Sequence, residues 1–293
     1  MSDTVSILAS NIWIVFVAVY GICKGLREGV KKKAMEKSSM EDVLFFYTLI
    51  GFVMSVPFAG NPFDMPGIYY FYVVIKSFTI FLAWILSFSA VKEMPIGYYG
   101  ILDMARVLFS TFLGITVLGE VLNGPQIFGM ILVVSGLLLI NFRRAGSGEN
   151  VRFVYILTAL FSCFLNSVSS LLDKILMNSG EITGGQLQFW YMLFMAVMYF
   201  VYMSVKGNSP KFSSVKNNYW ILLLSALLII GDRVLFIANA MPQSKLTVIT
   251  VVKQCAVIVT IIEGRIMFKE KRFLYKLLCA SVMIAGILMY IIF

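Results

Sequence analysis

The sequence predicts an all-α polytopic membrane protein, ten transmembrane helices arranged as two inverted five-helix repeats. Three observations predict it. Of 293 residues, 60% are hydrophobic and 13% charged, where soluble domains are nearer half apolar and a quarter charged. The apolar residues fall in ten runs of bilayer-spanning length. Equivalent residues recur 150 positions apart in the two halves, as internal repeats require. No water-soluble fold of this size buries so much apolar surface. Ten spans of about 20 residues use roughly 200 positions, and the rest serves for connections and leaves no room for a separate soluble domain.

Each run is bounded by polar, Gly or Pro breaks. The first, 4–24, follows Asp3 and ends at Lys24. It lacks a basic leader and is too long for a cleavable signal, so it reads as a span. Residues 25–41 form a basic segment that extends it. The second run, 42–60, stops at Gly60-Asn61-Pro62. The third, 68–91, lies between Pro66-Gly67 and Lys92-Glu93, and the fourth, 97–119, ends at Gly119-Glu120. The fifth, 125–142, opens on Pro125 and is followed by a flexible central linker, 143–152 (RRAGSGENVR). The second half repeats the order at 153–175, 186–205, 219–239, 246–267 and 273–293, with a polar basic loop at 206–218.

Charge sets the expected orientation. The connections after helices 1, 3, 5, 7 and 9 hold eighteen Lys and Arg, counting those at helix ends. The termini and the remaining connections hold two, Lys174 and Lys245. The positive-inside rule therefore puts both termini on the non-cytoplasmic side of a plasma (inner) membrane. The net charge of +9 is a topology signal and implies no nucleic acid. With no histidine in the chain, His-based triads, zinc HExxH sites and haem ligation by His are excluded. The four cysteines form no CxxC pair and read as buried small hydrophobes. No cofactor or metal is expected.

The repeat is carried by four matches at one offset: Lys24 with Lys174, Ala90 with Ala240, Glu120 with Glu270, and Gly136 with Gly286. They divide the chain at 1–145 and 146–293. Five helices per repeat is an odd number, so the second half enters the membrane upside down, as in many secondary transporters. On these residues, with the Gly-Glu of LGE at 118–120 echoed by FKE at 268–270, the chain resembles the ten-helix EamA-type proteins of the drug/metabolite transporter superfamily. The resemblance spans the whole chain. It implies a substrate path lined by helices 3, 4, 8 and 9. It also implies cytoplasmic termini, where the charge bias implies the opposite; we follow the charges.

A charge at mid-span is costly and faces a partner or a wet cavity. Seven qualify: Lys76, Asp103, Arg106, Asp232, Arg233, Lys253 and Glu263. Helical spacing puts Tyr99, Asp103, Arg106 and Ser110 on one face of helix 4. Helix 9 carries Thr250, Lys253 and Gln254; helix 8 carries Ser225, Asp232 and Asn239. Helix 3 carries Lys76, Thr79 and Ser87, and helix 6 carries Ser162, Asn166, Ser169 and Asp173. Asp103 and Lys253 are equivalent under the repeat. Asp103 and Arg106 are also spaced to neutralise each other, which makes a purely structural ion pair the competing reading. Glu263 reads as an interfacial ion pair with Arg265. Most of Tyr69, Tyr70, Phe71, Tyr72, Tyr98, Trp190, Tyr191 and Trp220 read as an aromatic belt. Gly129, Ser135 and Gly136 on helix 5 and Ser281, Ala285 and Gly286 on helix 10 read as close helix packing, with a dimer face the alternative.

The expected function is secondary active transport, since no GxxxxGK[ST] motif or nucleotide domain is present. Four embedded bases against three acids suggest a small anionic or zwitterionic metabolite, amino acids included. Lys253 and Arg106 would hold its anionic group, with Asp103 for an amine or a coupling proton and Tyr99 for packing. Lys76, Arg233, Asp232 and Gln254 complete the candidate set, Asp232 being the other coupling candidate. The alternative is an organic-cation carrier using Asp103 and Asp232 with stacked aromatics. An intramembrane enzyme built on Gly231-Asp232 and a lipid-flippase subunit are remote. The expected partners are a small substrate, a coupling proton and the bilayer, in a monomer or homodimer.

Overall fold

The computed structural model describes residues 2–142 and 151–292. Most of the expected linker, 143–150, lies outside the described residues. The described chain is helical, with no strand. The first half comprises α1 (Ser2–Lys37), α2 (Met40–Ser55), α3 (Gly67–Glu93), α4 (Ile96–Asp103), α5 (Arg106–Leu118) and α6 (Gly124–Phe142). The second comprises α7 (Phe153–Asn178), α8 (Gly184–Val205), a short α9 (Phe212–Lys216), α10 (Tyr219–Ala240), α11 (Leu246–Lys253), α12 (Ala256–Phe268) and α13 (Phe273–Ile292). Among the described residues, six helices or joined helix pairs are long and apolar enough to cross a membrane, and α6 and α13 add shorter apolar ones. Large apolar side chains such as Phe71, Phe78, Leu157, Phe200 and Ile230 point outward. Their exposure suits lipid and not water.

Local chemistry explains the boundaries. Ser39 starts α2 by accepting the Asp42 backbone N–H. Thr183 and Gln186 cap the start of α8 reciprocally. Pro66 and Pro95 precede α3 and α4, where a missing N–H costs least.

The basic segment after residue 24 does extend the first span: α1 continues unbroken to Lys37. One expectation is corrected: the fourth and ninth spans are not continuous. Helix α4 gives way to α5 through Met104-Ala105, and α11 to α12 through Gln254-Cys255. The backbone tightens in the same way at both, with Ala105 N–H donating to Leu102 O at 2.9 Å and Cys255 N–H to Val252 O at 3.1 Å. These positions are 150 apart, so the discontinuity recurs where the repeat places it. Asp103 and Lys253 are the residues immediately before the breaks.

Packing exchanges the halves. Helix α1 lies against α10, α11 and α12; α7 lies against α3, α4 and α5. Helix α2 packs on its counterpart α8, and α6 on its counterpart α13. Gly136 sits under Met283, and Gly286 against the Gly129 carbonyl and Leu132. These glycines therefore serve close packing between α6 and α13 within one chain.

The LGE and FKE carboxylates also act across halves. Glu270, just after α12, accepts the N–H groups of Ile96 at 2.5 Å and Gly97 at 3.1 Å, opening α4. Glu120, just after α5, accepts the Leu246 N–H at 3.2 Å, opening α11. Each carboxylate thus satisfies otherwise unpaired donors at the positive end of the other half's broken helix.

Candidate functional site

Small residues let α1 into the centre. Gly21, Gly25 and Gly29 form one stripe against α11 and α12. A Cβ at Gly25 would lie 2.5 Å from Val259 Cβ, and one at Gly29 2.5 Å from the Glu263 carboxylate. Gly25→Ala is therefore expected to force the two helices apart and cost about 1–3 kcal/mol. Thermal unfolding of the purified protein measures it; an unchanged midpoint would mean that α12 yields freely.

On another face of α1, Tyr20, Lys24, Arg27, Glu28 and Lys31 line a cavity of about 60 Å³. Helix α3 contributes Lys76, Trp84 and Ser87; α7 contributes Asn166, Ser169, Ser170 and Asp173. Asp232 on α10, Tyr47 on α2 and Arg106 on α5 complete its polar wall. The space holds a few water molecules. Admitting an organic metabolite requires the surrounding helices to part.

The charges form two networks. In the first, Asp103 is clamped by Lys24 at 2.5 Å and Arg106 at 2.6 Å. Gln254, at the α11–α12 turn, accepts from Lys24 at 3.1 Å and donates to the Asp103 carbonyl at 3.3 Å. The turn of one half is thus bonded to the turn of the other. In the second network, Lys76 pairs with Asp173 at 3.2 Å and lies 3.9 Å from the Tyr191 ring centre. The Tyr191 hydroxyl donates to Asp232, which also lies 3.9 Å from Arg27. Glu28 pairs with Lys31 at 2.6 Å, and Lys31 reaches Ser87 at 3.1 Å. Ser87 in turn shares a 2.7 Å hydrogen bond with Tyr99.

Lys253 differs from these groups. It is 7% exposed, its ammonium donates to Ser170 at 3.2 Å, and it lies 5.8 Å from the Tyr20 ring centre. Among the described residues no carboxylate lies within ion-pair distance of it. The Arg27 guanidinium sits over the same Tyr20 ring at 5.7 Å. Tyr20 therefore stands between two cations.

The structure thus gathers Lys76, Asp103, Arg106, Asp232, Lys253, Gln254 and Tyr99 around α1. Arg233 is not among them. Its guanidinium donates to the Phe58 carbonyl at 3.1 Å, near the end of α2. Adjacent residues on a helix diverge by about 100°, so Asp232 and Arg233 face different surroundings. Thr79 leaves the expected stripe, its hydroxyl bonded to its own helix at Ile75 O on an exposed face. Glu263 does not pair with Arg265; it accepts the Gly29 N–H at 3.1 Å, while Arg265 donates to the Glu270 carbonyl at 3.4 Å. Tyr191, expected in the aromatic belt, is buried at the second network.

Sequence reasoning missed Lys24, Arg27, Glu28 and Lys31 as site residues. Positions 20, 24, 27 and 31 follow helical spacing, and the glycine stripe 21/25/29 marked the neighbouring face as buried. The principal walls come from α1, α3, α7 and α10, the first, third, sixth and eighth spans; of helices 3, 4, 8 and 9, which the resemblance implied, 3 and 8 line the cavity, 4 adds Arg106, and 9 is not among the lining residues. Removing the buried Lys24, Lys31 and Lys276 and the half-buried Arg27 from the count of loop charges leaves its bias unchanged in sign.

Three comparisons with known proteins bear on this arrangement. Residues 11–142 match the EamA-like transporter family. No curated protein matches the chain. A solved crystal structure aligns with a TM-score of 0.67 at 13% identity, covering 94% of this chain and 96% of its own. That likeness is one of fold. The likeness in sequence to the EamA-like transporter family is confined to residues 11–142, and the likeness of fold to that crystal structure extends over nearly the whole chain.

Proposed function

From the match of its first half to the EamA-like transporter family, we propose that this chain is a secondary active transporter of a small anionic or zwitterionic organic metabolite. The match supports a membrane transporter of the drug/metabolite type and favours a carrier over an enzyme. The substrate class rests on one observation. Five bases line the cavity (Lys24, Arg27, Lys31, Lys76 and Arg106) against three acids (Glu28, Asp173 and Asp232), each of which already has a base. Counting Asp103, which holds both Lys24 and Arg106 from behind the wall, five bases meet four acids. One positive charge is left over, to which Lys253, outside the lining and without an ion-pair partner among the described residues, adds another. A carboxylate or phosphate supplies the missing negative charge, whereas a cation adds to the excess, so the cation-carrier reading is the weaker one.

We read the division at 1–145 and 146–293 as an inverted repeat that rocks around this site, opening it to each side in turn. The broken helices α4–α5 and α11–α12 would carry the motion, since their turns hold the central ion network. The orientation we propose keeps both termini on the non-cytoplasmic side of a plasma (inner) membrane.

A thermal-shift screen of the purified protein tests the substrate class. Its panel comprises organic carboxylates and phosphates, zwitterionic amino acids, and amines including quaternary ones. A ligand at 100 times its Kd adds about 2.7 kcal/mol of stability. Stabilisation by anions or zwitterions is the expected result. Stabilisation by amines alone would overturn the reading in favour of a cation carrier.

A further inference from the structure

We propose that Glu263 is a proton-binding site of this protein, lying outside the substrate cavity at the contact between α1 and α12. The observation that carries this is a buried carboxylate with no cation. Glu263 is 8% exposed, and its one hydrogen bond among the described residues comes from the Gly29 backbone N–H. At Gly25 and Gly29 themselves α1 is in direct contact with α12, where an added Cβ would meet Val259 and the Glu263 carboxylate at 2.5 Å.

The charged groups on every side have other engagements. On α1, Lys31 is held by Glu28 at 2.6 Å, Lys32 by the Met94 carbonyl at 2.6 Å, and Lys33 by Glu36 at 2.9 Å. On α13, Lys276 is held by Glu270 at 3.0 Å. On α12 itself, Arg265 turns to the Glu270 carbonyl. From α4, Tyr99 is bonded to Ser87. Glu28, next to Gly29 on α1 and held by Lys31, brings no positive charge to the contact. A lone ionised carboxylate in such surroundings is costly, and taking up a proton removes the cost. Neutral, the carboxyl still accepts the Gly29 N–H through one oxygen.

The site also has a route to the cavity. Glu28, one residue before Gly29, lines both that cavity and a second, water-sized space of about 10 Å³ shared with Tyr99, Asp103 and Thr260. Thr260 lies one helical turn before Glu263 on α12. A proton leaving Glu263 therefore adds negative charge beside Glu28 and Lys31, which belong to the cavity wall. Losing it also places a charge in the tightest part of the α1–α12 contact, which water reaches only if the helices separate. Proton binding at Glu263 and closure of α1 on α12 thus favour each other. Use of this proton as the coupling ion rests on the transporter reading above; the existence of the site does not.

Infrared difference spectroscopy of the full chain in lipid nanodiscs, between neutral and alkaline pH, tests the proposal. Ordinary carboxylates are ionised at both pH values, so a protonated-carboxyl C=O band that disappears on alkalinisation reports an acid kept neutral at pH 7. The wild type is expected to show the band, and Glu263→Gln, which preserves shape and the Gly29 bond, to lack it. Glu28→Gln retains Glu263 and is expected to keep the band. No band in the wild type, a band surviving in Glu263→Gln, or a band lost in Glu28→Gln would each overturn the assignment. No ligand enters this measurement, so a failed substrate screen beside a positive band would sink the transporter reading and leave the proton site standing.

Discussion

Asp103→Asn is expected to destabilise the protein by about 3–5 kcal/mol, the usual cost of removing one partner from a buried ion pair. Asp103 is the single acid between Lys24 at 2.5 Å and Arg106 at 2.6 Å. Neutralising it leaves two cations facing each other in a space that is 5% exposed at both Lys24 and Asp103. The loss is read from thermal or denaturant unfolding of the purified protein. Adding Lys24→Met to Asp103→Asn removes one of the orphaned charges and should recover part of the stability. A single variant as stable as the wild type would show that the network does not hold α1 to the α4–α5 turn. The prediction also bears on the competing reading of this pair. Asp103 and Arg106 do neutralise each other, but Lys24 and Gln254 join them, so the pair ties both halves together at the centre.

Lys253→Met is expected to have the opposite profile. The fold should survive, because no carboxylate is left alone when the ammonium goes and only Ser170 loses a partner. Anion-dependent stabilisation should fall by about 10- to 100-fold in apparent affinity, the worth of one hydrogen bond to a charged group. Arg233→Met is the control. That residue is bonded to the Phe58 carbonyl, away from the cavity, and its replacement should leave ligand binding unaltered. Equal losses in the two variants, or no loss in Lys253→Met, would remove Lys253 from the site.

Both variants use residues that the sequence singled out, and the contrast between them shows where such reading succeeds. Asp103, Arg106, Lys253 and Gln254 were legible because a charged or amide residue inside an apolar span has to face something polar. Helix 1 was misread for a related reason. Lys24, Arg27 and Lys31 follow the last long apolar stretch of that span, so they resembled the basic residues of an exposed loop. Only the packing of the glycine stripe against α11 and α12 shows that this stretch stays inside. Glu263 and Arg265 were paired on sequence proximity, but residues two apart on a helix point away from each other. Tyr191 looked like a belt residue because it lies near a span end.

The sequence by itself determined the bilayer as solvent, the ten helical units and the equivalences at 150 residues, because these follow from composition and local spacing. The positions of Glu120 and Glu270 were legible; what they bind was not. Tertiary structure alone decided that each carboxylate caps the other half's broken helix, that the fourth and ninth spans break after Asp103 and Lys253, and that α1 forms a wall of the cavity. Periodicity reports which face of a helix is polar. It carries no information on which distant face will meet it, and that choice is made by the fit of small residues and the cost of leaving buried charge unpaired.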